Sequence, residues 1–370
     1  MGCEILTWRE QFPVTERMVY LNHAAVAPLS RRAAAAMQGL AEDCLLYGSY
    51  HYDQWLKVYQ GIRVLTARLI GADAGEIAIT KNTSEGIATI ANGFAFRPGD
   101  RIVCFHEEFP ANFFPWRVLE RDGVVLDWLS IYDPVERIAE AARGAKLLAI
   151  SWVNYLSGHR VDLESIGAAC RDAGCFFFVD AIQGLGAFPI DVKKCKVDAL
   201  AADAHKWMLG PEGCAVLYVR REVQDAVFPR EFGWTNVAHF ADYASRDMTL
   251  RPDAGRYECG TLNTIGCFGL HAALELLLDI GVERIGEAVQ RLGDQVAEGA
   301  KAKGYRLAVE RTPATGAGIV SFCKDGVDSR MVVARLKEQG IMAAPRQGWV
   351  RVSPHFYITA EEIEKMCQVL

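Results

Sequence analysis

The sequence predicts an α/β protein, with a mostly parallel sheet covered by helices on both faces and a smaller α+β layer after it. Three observations predict this. Between residues 76 and 219, short near-continuous apolar runs alternate with stretches of helical periodicity. Several of those runs end in polar residues, at the strand ends where open α/β sheets bind ligands. After Arg221 the alternation stops, and the chain reads as a loop-rich segment, two long helices and a short mixed strand–helix pattern.

Taken in order, Ala33–Ala36 reads as part of a helix, and the first strand spans Ile77–Thr80. Thr83 and Ser84 then stand where a helix begins, so free backbone N–H groups and two hydroxyls gather at one point. Further strands are expected at Arg101–Phe105, Val124–Leu129, Leu147–Val153, Cys175–Val179 and Ala215–Val219, with another short apolar run leading into Asp203. Helices are expected at Pro134–Arg143 and Leu163–Ala173, closed by Gly144 and Gly174 as C-caps. Residues 222–260 are loop-rich, with Pro229, Gly233, Pro252 and Gly255. Helices Ile265–Leu278 and Val282–Lys303 follow. The chain then reads as strands Arg306–Val309 and Ile319–Cys323, helix Ser329–Gln339, strand Trp349–Ser353 and helix Ala360–Val369. The expected division is a large unit over 14–278 and a small one made of 1–13 and 279–370.

Composition narrows the function. At 370 residues the chain can bury an ample core, and 51% hydrophobic with 23% charged residues is ordinary for a globular enzyme. A net charge of −6 argues against a nucleic-acid partner, so an anion site has to be local. None of the 11 cysteines is spaced Cys-x-x-Cys, which disfavours a zinc ribbon or a redox pair, and no metal site is expected. Cys104, Cys175, Cys214 and Cys323 lie in apolar runs, a usage that fits a reducing cytoplasm. The N-terminus lacks a basic region followed by an apolar core, no run approaches a membrane span, and neither a Gly-x-Gly-x-x-Gly turn nor a Walker-type loop is present.

The chemistry centres on Lys206. It follows the apolar run before Asp203, and Asp180 closes the run Cys175–Val179. A lysine and an acid at strand ends are what pyridoxal 5′-phosphate needs: the lysine forms a Schiff base with the aldehyde, and the acid keeps the ring nitrogen protonated. Thr83-Ser84 offers a phosphate site, Phe109 an aromatic face to stack on the ring, and Asn154 an amide for the ring hydroxyl. Each of these alone has a commoner explanation, namely a helix cap, core packing and a turn. Their joint occurrence at strand ends is what points to one site.

In this order, Thr83-Ser84, Phe109, Asn154, Asp180 with Gln183, His205-Lys206, Gly260-Thr261 and Arg351 resemble the class V aminotransferase group of fold-type-I pyridoxal-phosphate enzymes. That group includes cysteine desulfurases, selenocysteine lyases and isopenicillin-N-epimerase-like proteins. The resemblance runs from Tyr20 to Tyr357 and implies a seven-stranded sheet. It implies that Lys206 carries the cofactor and shuttles the proton at Cα, that Asp180 pairs with the ring nitrogen, and that Gln183 and Asn154 reach the ring oxygen. Thr83, Ser84 and His205 would hold the phosphate, with Asp203 positioning His205. Thr261 would reach the phosphate of a neighbouring subunit, which implies a homodimer with shared sites. Arg351 would clamp the substrate carboxylate.

Three departures from the desulfurases matter. Phe109 stands where they carry a histidine, Asp203 where many carry serine, and the stretch Ile341–Arg351 holds no cysteine to act as a loop nucleophile. Persulfide chemistry is therefore disfavoured, and transamination of a small amino acid is the expected reaction. A C–S β-lyase and an epimerase remain open, because all three reactions begin at Cα under Lys206. His23 is expected to face the substrate, the alternative being a surface or capping histidine, and Arg346 is expected to assist Arg351, to bind a second acidic group, or equally to stand as a solvated arginine. The aromatic stretch of Tyr47, Tyr50, His51, Tyr52 and Trp55 is expected to pack in the core or an interface rather than line the pocket.

Overall fold

The structure is a computed structural model and describes residues 5–370. The expectations for residues 1–4, as the start of a leaderless N-terminus and of the small unit, lie outside the described residues.

The chain order is β1 (Val19–Tyr20), α1 (Arg31–Tyr47), α2 (Tyr52–Ile70), β2 (Ile77–Thr80), α3 (Thr83–Gly93), β3 (Arg101–Phe105), α4 (Phe114–Val118) and β4 (Val125–Leu129). It continues with α5 (Val135–Ala142), β5 (Leu147–Ser151), α6 (Leu163–Ala173), β6 (Phe176–Asp180), β7 (Ala199–Asp203) and β8 (Ala215–Val219). The remainder is α7 (Thr264–Ile280), α8 (Val282–Ala302), β9 (Arg306–Leu307), β10 (Val320–Cys323), α9 (Ser329–Glu338), β11 (Ile341–Met342), β12 (Ala344–Arg346), β13 (Trp349–Val352) and α10 (Ala360–Val369).

The main sheet has seven strands in the order β2-β8-β7-β6-β5-β3-β4. Pairs β3–β4, β3–β5, β5–β6 and β6–β7 are parallel, while β8 is antiparallel to both β7 and β2. Six strands therefore run one way, and their carboxyl ends meet at one edge. Thr80, Phe105, Ser151, Asp180 and Asp203 are the last residues of β2, β3, β5, β6 and β7.

Both faces of this sheet are dry, which is why its strands are apolar without alternation. Phe177, Val179, Leu200 and Ala202 join one apolar cluster with α2, α6, α7 and α8. Their chain neighbours Phe176, Phe178, Ala199 and Ala201 join another with α3 and Trp116 of α4. The first cluster also takes in Phe322, Val350 and Val352 of the four-stranded antiparallel sheet β12-β13-β10-β9. The N-terminal segment is bound to that C-terminal part: β1 runs parallel with β11, and Asn22 bridges to Ser353.

Strand and helix positions agree with the sequence pattern to within a few residues. Expected strand Leu147–Val153 stops at Ser151, because Val153 turns to bridge Arg160. Expected strand Arg306–Val309 shortens to two residues. Strands β1, β11 and β12, of two or three residues, are too short to show a period. No single helix among the described residues is long and apolar enough to cross a membrane; α7 and α8 are separated by a bend of 83°.

Helix α3 lies unusually close to the sheet. A Cβ at Gly86 would sit 2.7 Å from the Cβ of Ala201. Gly86→Ala must push the helix away, so a loss of about 1–3 kcal/mol is expected, read as a lower urea midpoint.

Candidate active site

A cleft of about 560 Å³ opens at the carboxyl edge of the sheet. Lys206 enters it just beyond β7. Its loop is tight: Ala204 N–H donates to the Cys214 carbonyl at 2.9 Å, Leu209 N–H donates to the Lys206 carbonyl at 3.1 Å, and buried Leu209 has a φ of 60°. A buried non-glycine residue in that region is uncommon and holds the loop in one shape. The Lys206 Nζ lies 5.7 Å from the ring centroid of Phe109. Burial lowers its pKa to about 8, and the positive charge of Arg351 acts the same way; Asp180 opposes them.

Asp180 ends β6 in the same cleft, 2% exposed. One carboxylate oxygen accepts the Ile182 N–H at 3.0 Å. Burial raises its pKa to about 6, against the pull of that N–H and of Lys206. A second buried carboxyl stands behind it. Glu108 accepts the Ser151 N–H at 2.6 Å and the Ser151 hydroxyl, and Ser151 is the cross-strand partner of Asp180. Burial pushes Glu108 up to about 8, and the Asp180 charge adds to this. At neutral pH Glu108 is therefore the protonated member and Asp180 the charged one. Sequence reading missed this role for Glu108; its only trace is a tandem acid, Glu107-Glu108, one residue past an apolar strand.

The phosphate-sized end of the cleft is built by α3 and β7. Asn82 caps α3 by accepting the Glu85 N–H at 2.9 Å. Thr83 is buried, and its hydroxyl oxygen accepts the Asp203 N–H at 2.9 Å. Ser84 and His205 complete this end. His205 Nδ1 and Asp203 Oδ1 lie 2.8 Å apart, an ion-pair distance, yet the alignment is not that of a hydrogen bond. That contact sets the His205 ring against the Asp203 carboxylate beside an anion-binding helix end.

Opposite, Arg351 on β13 is 2% exposed. Its Nη1 donates to the Tyr155 carbonyl at 2.8 Å, while Nε and Nη2 are buried without a partner among the described residues. Burial lowers its pKa to about 10, with Arg346 adding to the effect. A buried guanidinium with unmatched donors on a cleft wall calls for a planar anion, and a carboxylate fits it bidentately. Arg351→Gln is expected to raise KM for a carboxylate substrate about 10- to 100-fold with kcat little changed. Unchanged steady-state constants would remove it from the site.

Not every expected residue reaches the cleft. Gln183 lines it, with Nε2 donating to the Ala24 carbonyl at 3.0 Å and Oε1 accepting from Trp207 Nε1 at 2.9 Å. Asn154 does not. Its Oδ1 accepts the Leu156 and Ser157 N–H groups, and its amide donates to the Glu107 carbonyl, so it closes a turn instead of reaching a ring oxygen. His23 does not either. It is fully buried, with Nδ1 2.8 Å from the Ser353 carbonyl and Nε2 2.6 Å from the Tyr357 hydroxyl, and burial lowers it to about 4. It is a neutral core histidine that anchors the segment whose next residues, Ala24, Ala25 and Val26, form the cleft wall. Thr261 is exposed and outside this chain's cleft. Tyr47, Tyr50 and Tyr52 are exposed and also outside it. Among the described residues, no cysteine lines the cleft and no cluster of His, Cys, Asp or Glu is arranged to hold a metal.

A lysine and a carboxylate at adjacent parallel strand ends, facing a helix N-terminus and a buried arginine, define the class of fold-type-I pyridoxal-phosphate enzymes. The chain belongs to the aminotransferase class-V family, whose model matches residues 19–366. It is 31% identical to a probable cysteine desulfurase of Pyrococcus abyssi, covering 98% of this chain and 96% of that protein. It is 29% identical to the uncharacterized aminotransferase YcbU of Bacillus subtilis, over 96% and 94% of the two chains. The apo structure of a cysteine desulfurase from Thermococcus onnurineus NA1 superposes with a TM-score of 0.90 at 29% identity, covering 98% and 96%.

Family membership indicates pyridoxal 5′-phosphate as the cofactor. The residues present fit it. The cleft offers an α3 N-terminus with two hydroxyls for a phosphate, a buried carboxylate for a ring nitrogen, and a desolvated lysine for an aldehyde.

Proposed function

We propose that the protein is an aminotransferase acting on a small α-amino acid, with Lys206, Asp180 and Arg351 as its working residues. The cofactor supplies, when bound, an aldehyde for the amino group and a ring that takes up negative charge from Cα. This chain's residues supply the rest. Thr83, Ser84, His205 and the α3 N-terminus hold the phosphate, and Asp180 holds a negative charge against the ring nitrogen. Phe109, beside Lys206, would flank the ring, and Ala24 to Val26 line the same cleft. Arg351 orients the substrate by its carboxylate. Lys206, titrating near 8, takes and returns the proton at Cα close to neutral pH.

The observation that carries transamination over persulfide chemistry is the lining itself. Among the described residues it joins Lys206, Asp180 and Arg351 but no thiol, and the side chain beside Lys206 is Phe109, which carries no ionisable group. A single-turnover experiment tests this. Addition of an amino acid should shift the visible band, and a 2-oxo acid should restore it with stoichiometric formation of the new amino acid. Two relatives named as cysteine desulfurases favour chemistry at the C–S bond of cysteine as the second reading, and without a cleft thiol this would be β-elimination. Release of sulfide and pyruvate from cysteine, without restoration by 2-oxo acids, would establish that one instead.

The same proposal includes a cytoplasmic homodimer. Exposed Thr261 outside its own cleft, the exposed Leu45, Leu46 and Tyr47 in the last turn of α1, and exposed Tyr50 just after it support the dimer. Native mass determination tests the dimer.

A further inference from the structure

Arg346 lines the same cleft as Arg351, and the working residues above leave it without a task. Strands β12 and β13 pair antiparallel with Ala344 opposite Arg351 and Arg346 opposite Trp349. Side chains alternate across a strand, so residues 344, 346, 349 and 351 emerge on one face of this hairpin. Arg346 and Arg351 are therefore diagonal neighbours, their backbones roughly 7–8 Å apart. The turn joining their strands is Gln347-Gly348, with φ of 49° and 85°. Two positive φ values are what a two-residue hairpin turn requires, and so short a turn holds the spacing of the two arginines.

Tyr155 braces the assembly. Its hydroxyl accepts from Gln347 Nε2 at 2.8 Å, its carbonyl accepts from Arg351 Nη1 at 2.8 Å, and its ring meets Phe109 edge-on at 5.2 Å. Arg346 itself is exposed and donates to the Pro345 carbonyl at 3.3 Å; no acidic side chain pairs with it among the described residues. Among the described residues neither arginine has a carboxylate partner, although acids outnumber bases in the chain 46 to 40. Two like charges on one hairpin face, each depressing the proton affinity of its surroundings, are relieved by a ligand bearing two negative charges at a matching separation.

We propose that Arg346 is a specificity-determining residue that binds the distal carboxylate of an α-amino dicarboxylic acid, or of the corresponding 2-oxo acid, while Arg351 holds the α-carboxylate. This rests on the transaminase reading above and names the substrate class of the same cleft. A small neutral amino acid would satisfy Arg351 alone.

Calorimetric titration of the holoenzyme with non-reacting acids tests the assignment, with succinate and glutarate set against propionate and butyrate. Wild-type protein is expected to bind the dicarboxylates about tenfold more tightly. Arg346→Gln should abolish that preference and leave monocarboxylate affinity within about twofold, which also shows that the variant is folded. Arg346→Lys should keep part of the preference, and Arg351→Gln should weaken both classes. Equal affinity for the two classes in the wild type overturns the assignment. So does an Arg346→Gln variant that loses both classes equally, since Arg346 would then only double the α-carboxylate clamp. The borohydride-sensitive visible band, recorded on the same samples, reports separately on the cofactor reading: its absence sinks that reading, whereas its presence without a dicarboxylate preference sinks only this inference.

Discussion

Lys206→Ala is expected to abolish turnover, by on the order of 10⁴-fold or more, and to remove the visible band that borohydride bleaches in the wild type. The size of the effect follows from two separate tasks. Among the described residues the amine is the only lysine nitrogen lining the cleft, which it shares with Arg351 and Phe109, and the proposed mechanism also makes it the base that acts at Cα. Loss of either task would slow the reaction; loss of both leaves no route. The fold should survive, because the β7 ladder and the Ala204–Cys214 contact that shape the loop are backbone interactions. A circular-dichroism spectrum equal to that of the wild type, with no bleachable band, is the expected pair of results. The depressed pKa adds a pH signature. With Lys206 titrating near 8, its neutral fraction rises roughly tenfold between pH 7 and pH 9, and cofactor loading of the apoprotein should accelerate in proportion. A Lys206→Ala protein that keeps a bleachable band would show that another amine carries the cofactor.

The cleft was legible where strand ends decide it. Asp180, Asp203 and Thr83 follow apolar runs, and a parallel sheet brings the carboxyl ends of such runs to one edge whatever lies between them. Lys206 shares that edge because only a short loop separates it from β7. What a linear pattern does not reveal is which neighbour claims a polar atom. Asn154 stands at a strand end as expected, but the N–H groups of its own turn take its oxygen. His23 lies one residue from the cleft wall, and a carbonyl and a hydroxyl from 330 residues away or more turn it into the core. Glu108 was hidden for the converse reason: its weight comes from Ser151 and Asp180, on strands that pair only in the folded sheet. The N-terminal strand β1 was equally invisible, since two residues carry no period and its partner β11 comes from the far end of the chain.

Asp180→Asn should cost about 10²- to 10³-fold in kcat while cofactor still binds through its phosphate. The asparagine keeps the shape of the side chain and can accept the Ile182 N–H in the same way, so packing is not what changes. What is lost is a buried negative charge, and the surroundings show how deliberately that charge is placed. Two carboxyls, Asp180 and Glu108, share a dry region, and burial raises both. Their values near 6 and 8 mean that between those pH values one is charged and one is not, and the charged one is the one that lines the cleft. In the cofactor-free protein Asp180 takes up a proton as pH falls through about 6, so cofactor binding by the wild-type apoprotein should approach that of Asp180→Asn there. With cofactor bound, a protonated ring nitrogen beside it would favour the charged carboxylate and carry the wild-type activity advantage to lower pH. Glu108→Gln should leave that advantage nearly intact at neutral pH, because burial already favours the neutral form of the group it replaces. Equal activity of wild type and Asp180→Asn at neutral pH would mean that the Asp180 charge plays no part in the rate, and the electron-withdrawing role assigned to this carboxylate would have to be given up.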